Sequence, residues 1–198
     1  MSNFPAPFPR WRDVAPWLAI LFIFIVMAIV LRTQGRLWIC ASGYVYPWVS
    51  DVWSADNSQH LTDPYSFSHV LHGVLFFGLF WCFRQWINGN WRLVLAVALE
   101  AVWELFENSA FVINRYREGT AALGYNGDTV LNSVGDLLCC IAGFILAFRL
   151  GWWKSLAFFI LVELVMVLTI RDSLLLNIIM LLYPIDAIKV WQMGAVHG

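Results

Sequence analysis

A chain of 198 residues is long enough for one ordinary domain. Apolar residues make up 61% of it and charged residues 13%, against about 45–50% and about 25% in soluble domains, so it has too little polar surface to coat a water-facing fold. A net charge of −1 supplies no basic field and excludes a nucleic-acid binder.

A bilayer crossing needs about 20 mostly apolar residues, within a range of about 17–25. The first such run is 14–31. Arg10 and Arg12 precede it as in a leader, but its length and its end at Arg32, with no small-residue cleavage site, read as an uncleaved first span. Residues 37–49, apolar and rich in Tyr and Trp, read as an interfacial helix or hairpin inside a long loop. The second run is 67–86, with His69 and His72 near its start. Asn88-Gly89-Asn90 is expected to form a tight turn. The third run, 91–113, is interrupted by Glu100, Glu104 and Glu107. The fourth is 128–150 and the fifth 152–170. Residues 173–191 begin apolar, but the run is short: it spans if it continues to Trp191, and otherwise lies in the interface or re-enters.

Helices are expected throughout, because lipid leaves backbone groups no partner outside the segment, and the runs do not alternate as barrel strands do. The fold class is therefore all-α: a single polytopic transmembrane helix bundle of five or six spans. Trp11 with Arg12, Arg84 with Trp86, Trp91 with Arg92, and Trp152-Trp153-Lys154 mark headgroup depth at the ends of the runs. With a cytoplasmic N-terminus, seven basic residues (Arg10, Arg12, Arg84, Arg92, Arg149, Lys154 and, only if the sixth segment spans, Lys189) fall inside and five (Arg32, Arg36, Arg115, Arg117, Arg171) outside. This orients the chain in a cell inner membrane. Cys82, Cys139 and Cys140 lie within apolar runs, as small hydrophobes do.

Alternating topology brings the start of spans two and four and the end of spans three and five to one face. The polar residues occupy those halves: His69 and His72; Glu104, Glu107 and Asn108; Asp128, Asn132, Ser133 and Asp136; then Arg171 and Asp172. Glu100, Glu104 and Glu107 step by four and three and share a helix face, and so do Asp128, Asn132 and Asp136. At about 1.5 Å per residue Glu100 stands about 14 Å from Trp91, near mid-membrane, where an ionised carboxylate costs about 2.5–3.5 kcal/mol on insertion scales.

His69, His72, Glu104, Glu107, Asp128 and Asp136 are the candidate catalytic groups, of types suited to general acid–base work. They are also of types that bind a divalent metal, although no metalloprotease HExxH or paired CxxC is present. Asn108, Asn114, Arg115, Arg117, Asn132 and Arg171 are the candidate substrate-binding groups, the arginines for a phosphate or carboxylate. The same polar residues also fit interhelical hydrogen bonding alone. Glu163 is a candidate relay partner of Glu100. Ser68-His69 with Asp63 lacks the G-x-S-x-G elbow of a serine hydrolase. His60 and His197 have no evident partner in the sequence.

The run from Asn57 through Asp63 to Ser68-His69 and His72-Gly73 resembles a bacterial membrane family known as domain of unknown function 2585. So do Trp103-Glu104, Glu107-Asn108, Ile113 to Arg117, Gly127-Asp128, Asn132-Ser133, Asp136, Ile170-Arg171-Asp172 and Asn177 to Met180. The resemblance runs from about residue 39 onward and implies a multi-pass inner-membrane protein of alphaproteobacterial type, with no activity attached. Where the family often carries Cys-x-Cys-Gly, this chain has Cys40-Ala41-Ser42-Gly43. The order Asp63, His69, Glu104, Arg115 or Arg117, Asp128, Asn132 is also similar to that of VanZ-like membrane proteins, which implies envelope or lipid-linked substrates.

The function expected on these grounds is binding or processing of a lipid or lipid-linked headgroup in a polar pocket at the non-cytoplasmic face, with membrane lipid as the partner. A non-catalytic subunit of a membrane complex and a small transporter remain as alternatives.

Overall fold

A computed structural model describes residues 14–121 and 124–194 of the protein; Arg10, Trp11, Arg12 and His197 lie outside them. The described residues form eight helices and no strands, so the fold is all-α. They are α1 (Val14–Thr33), α2 (Ser66–Trp81), α3 (Gly89–Glu107), α4 (Ala110–Gly119), α5 (Val130–Leu150), α6 (Trp152–Ile170), α7 (Leu174–Leu182) and α8 (Asp186–Met193). Three of these, α1, α5 and α6, are long and apolar enough to cross a membrane. The two others of the bundle depart from that pattern for different reasons. Helix α2 has 16 residues, and α3 carries Arg92, Glu100, Glu104 and Glu107.

Caps set several boundaries where apolarity alone gave other limits. Asn88 does not sit in a turn: its side chain accepts from Trp91 N at 3.1 Å and starts α3. Helix α3 then ends at Glu107, six residues before the end of its apolar run, because Ser109 Oγ accepts from Val112 N and opens α4. Helix α2 stops at Trp81 and continues as turns, with Arg84 N bonded to Trp81 O and Ile87 N to Phe83 O. The final apolar stretch is two helices of nine and eight residues, α7 and α8, separated at Tyr183-Pro184-Ile185. Each is about 12–14 Å long, less than half of a 30 Å hydrocarbon core.

Helices α2 and α5 run side by side in the same direction, and α3 packs antiparallel against both. Phe77 packs on Phe144 with ring centroids 5.5 Å apart, and Leu93, Val97, Leu137 and Ala147 fill the adjoining core. The close approach depends on glycine. A Cβ on Gly73 would stand 2.0 Å from Cys140 O, and one on Gly143 1.9 Å from Val70 O. Helix α1 packs on α3, and α6 on α2 and α5. Leu18, Leu21, Phe22 and Ile25 of α1 and Leu161, Leu164 and Leu168 of α6 remain exposed, so both helices turn large apolar side chains outward.

Residues 34–65 form no helix, so of the two alternatives expected for residues 37–49, helix or hairpin, the helix is not formed. The segment doubles back in the manner of a hairpin without strands, with Leu61 N bonded to Tyr46 O and Val49 N to Thr62 O. Pro47 and the turn-forming polar run 50–59 exclude a continuous helix there. The segment lies over the start of α5, where Val130 N bonds Leu37 O and Leu131 N bonds Trp38 O.

Candidate active site

The ends of α1, α3 and α6 meet the starts of α2 and α5 at one end of the bundle. Gln34 donates to Leu105 O, Asn108 to Asp128, and Tyr65 OH to Asp172. Polar residues that lie far apart in the chain thereby become neighbours.

The deepest layer is a carboxylate between two imidazoles. His69 and His72, three apart on α2, share a face and both turn Nδ1 to Glu100 of α3. The His69 contact is 2.5 Å to Oε1, and the His72 contact is 3.0 Å to Oε2. All three side chains are buried. One turn further along α3, Glu104 is fully buried, and neither of its oxygens has a hydrogen-bond partner among the described residues. His69 Nδ1 lies 3.3 Å from Glu104 Oε1. Asp136 of α5 completes this layer: its Oδ1 accepts from Ser66 Oγ at 2.9 Å, and its Oδ2 lies 3.8 Å from His69 Nε2.

Above it, Asn108 and Asp128 clasp each other. Asn108 Nδ2 donates to Asp128 Oδ2, and Asp128 N donates to Asn108 Oδ1, both at 2.7 Å. Tyr125 OH donates to Asp128, and Tyr116 OH donates to Glu107 Oε1 at 3.0 Å. Asp63 accepts from the backbone N–H groups of Ser58 and Tyr65 at 2.9 and 2.8 Å. Asp172 accepts from Ser173 N, Tyr65 OH and Asn177 Nδ2. Asn132 Nδ2 donates to His60 O at 2.8 Å and so fastens the long loop.

These groups surround a cavity of about 630 Å³. His69, His72, Glu107, Asp128, Asn132 and Asp136, all singled out from the sequence, line it; Asp63, Tyr65, Tyr116, Tyr125 and Asp172 join them. Trp53, Trp103, Ile170, Ile178 and Leu181 provide apolar wall. No lysine or arginine lines it among the described residues. Burial raises the Asp63 and Asp128 carboxyls above the usual carboxylate range, and pushes Asp172 up to about 7. Burial likewise drives the Tyr65, Tyr116 and Tyr125 phenols well above their ordinary value, so they remain hydrogen-bond donors.

Several expectations are corrected. Arg115 donates to Leu181 O and Leu182 O, Arg117 to Tyr125 O and Asn126, and Arg171 to Trp191 O beneath the Trp191 ring. All three tie backbone together and none reaches the cavity. Asn114 is exposed and does not line it. Glu163 is not a relay partner of Glu100, because its oxygens accept from Leu174 N and Leu175 N and cap α7. The Ser68 hydroxyl donates to Met166 Sδ and makes no pair with His69. His60, without a partner in the sequence reading, accepts from Tyr46 N and lies 3.6 Å from Asp56. Glu100, outside the candidate catalytic set, is the hub of the deepest layer. Its signal was the four-residue step to Glu104.

From residue 31 to 194 the sequence matches the family model described as protein of unknown function (DUF2585). A UPF0314 protein of Rhizobium meliloti is 45% identical over 186 residues, covering 93% of this chain and 94% of the relative. UPF0314 proteins of Sphingopyxis alaskensis and Paracoccus denitrificans are 45% and 42% identical, over 90% and 91% of this chain and 95% and 94% of their own. No solved structure matches.

Proposed function

The chain belongs to the DUF2585 family, and from that premise we propose that it is a multi-pass inner-membrane protein whose cavity takes the headgroup of a lipid or lipid-linked molecule at the non-cytoplasmic face. Five crossings are made by α1, α2, α3, α5 and α6, with the N-terminus cytoplasmic. Helices α4, α7 and α8 lie at the headgroup level on the cavity side. The exposed apolar belts of α1 and α6 support this placement, since lipid is the solvent that tolerates them.

The observation that carries the reading is the cavity itself: acids, imidazoles, phenols and amides beside Trp103, Ile178 and Leu181. A polar chamber with apolar wall suits an amphiphile. Its sidedness suits one that enters from a single leaflet. With no lysine or arginine on the wall among the described residues, the fixed groups favour a headgroup rich in donors, such as an amine or a sugar, over a bare anion. The histidines and carboxylates are positioned to accept or return a proton from such a group.

The test is native mass spectrometry of the protein released from lipid nanodiscs made with its own host membranes. One lipid species is expected at about one per chain. Ala55→Trp, placed on the exposed loop at the cavity wall, is expected to lower that occupancy at least tenfold while the helical circular dichroism stays unchanged. A wild-type chain without a stoichiometric lipid, or equal occupancy in Ala55→Trp, overturns the reading.

A further inference from the structure

We propose that His69, Glu104 and Asp136 hold a single divalent cation of the zinc or manganese kind at the floor of the cavity. One ligand comes from each of α2, α3 and α5, and their donor atoms all lie within 4.8 Å of one another. The inference takes from the headgroup reading only that the cavity can be entered.

Three features of the donors point to an ion. The first is Glu104. It is completely buried, yet neither oxygen is hydrogen-bonded among the described residues. A buried carboxylate in that state is strongly unfavourable unless a cation or a proton is supplied. Its nearest imidazole nitrogen, His69 Nδ1 at 3.3 Å, is already directed at Glu100 at 2.5 Å.

The second is the division of labour on His69. Glu100 fixes Nδ1, which leaves Nε2 on the side of Asp136. A carboxylate on the far nitrogen of an imidazole is the usual outer partner of a metal-bound histidine: it sets the tautomer and makes the ligating nitrogen more basic. His72, on the second oxygen of Glu100 at 3.0 Å, holds that carboxylate in place.

The third is Asp136. Ser66 occupies its Oδ1, and its Oδ2 lies 3.8 Å from His69 Nε2. That is too long for a hydrogen bond. It is close to the separation of about 3–3.5 Å between donors sharing one ion at bond lengths of about 2.0–2.2 Å.

One imidazole and two carboxylates suit zinc or manganese better than a soft thiolate-seeking ion. Three protein ligands leave a coordination position open, and His69 and Asp136 both face the cavity, so that position is open to an incoming oxygen. Such openness marks a working site, not a structural one. In the neighbouring trio His69, His72 and Glu100 the carboxylate is already satisfied by direct contacts to both imidazoles at 2.5–3.1 Å.

The experiment strips the full-length protein in nanodiscs with a chelator, then titrates Zn²⁺ and Mn²⁺ separately. Bound ion is read by elemental analysis after dialysis. One ion per chain is expected. Glu104→Gln and Asp136→Asn should each weaken binding at least a hundredfold. Glu100→Gln should weaken it about 10–100-fold, as loss of an outer partner does. Cys40→Ser, in the separate Cys40, Asp56 and His60 trio, should leave binding unchanged. Glu104→Gln removes no hydrogen bond, so its fold, checked by thermal melting, separates lost ligation from lost structure. Absence of a stoichiometric ion, or an ion kept by both Glu104→Gln and Asp136→Asn, overturns the proposal. Lipid occupancy is read on the same samples. Lipid without an ion defeats this inference alone, and an ion without lipid defeats only the headgroup reading.

Discussion

Glu100 and Glu104 sit one turn apart on the same face of α3 and are both fully buried, yet their surroundings are opposite. Glu100 is held by two imidazoles, while Glu104 has no hydrogen-bond partner among the described residues. Removing one partner of a buried ion pair strands the other and costs about 3–5 kcal/mol. Glu100→Gln is therefore expected to lower the melting temperature sharply in detergent or nanodiscs. Glu104→Gln discards a buried carboxylate that has no hydrogen bond and only the 3.3 Å contact to a His69 nitrogen already held by Glu100, and without added metal its melting temperature should stay level or rise, as substitutions that relieve a functional site often do. Differential scanning of the two variants side by side checks this; equal losses in both would contradict it. The shared face of the two glutamates was legible in their spacing. What each touches was not, because period alone does not say which neighbouring helix a face meets. The same limit explains Glu163. Its mid-run position looked like that of Glu100, but it turns to the backbone N–H groups of Leu174 and Leu175, which no hydropathy pattern announces.

At the scale of elements, the cavity depends on how closely α2 and α5 approach. The donors His69 and Asp136 are neighbours because Gly73 and Gly143 let each helix rest on the other's backbone. Gly73→Ala would place a methyl 2.0 Å from Cys140 O, a clash with backbone that no side-chain rotation relieves. Such overpacking costs about 1–3 kcal/mol or more. Gly73→Ala is expected to lower folded yield in fluorescence-detected size-exclusion chromatography. Gly78→Ala, whose new methyl would meet the Trp152 ring at 3.5 Å, should match wild type. Equal behaviour of the two variants would overturn this account of the contact. The long apolar helices were visible in the sequence, and α6 coincides with its run. The ends set by caps were not. The apolar run crosses Asn108-Ser109 without pause, yet one serine hydroxyl on Val112 N divides it into α3 and α4. Tyr183-Pro184 likewise cuts the last run into α7 and α8.

At the scale of the whole molecule, the account reduces to sidedness: three helix ends and two helix starts meet, and the charged and hydrogen-bonding groups meet with them. That convergence was readable, because reversing direction at each span carries His69, Glu104, Asp128 and Asp136 to one end. The wall chemistry was not. Arg115, Arg117 and Arg171 have the sequence position of anion ligands, but they bind carbonyls of Leu181, Tyr125 and Trp191. Only the tertiary path of α7 and α8 brings most of those carbonyls within reach. The loop that contains residues 37–49, read as an interfacial helix or hairpin, supplies Trp53, Gln59 and Asp63 to the chamber from its later part. The proposed placement of this chamber at one membrane face is tested most directly by cysteine labelling in intact cells, on a chain whose four native cysteines are replaced. Ser54→Cys and Gly124→Cys should react with an impermeant maleimide added outside, and Asn88→Cys only after the inner membrane is permeabilised. Labelling of Asn88→Cys from the same side as Gly124→Cys would contradict it.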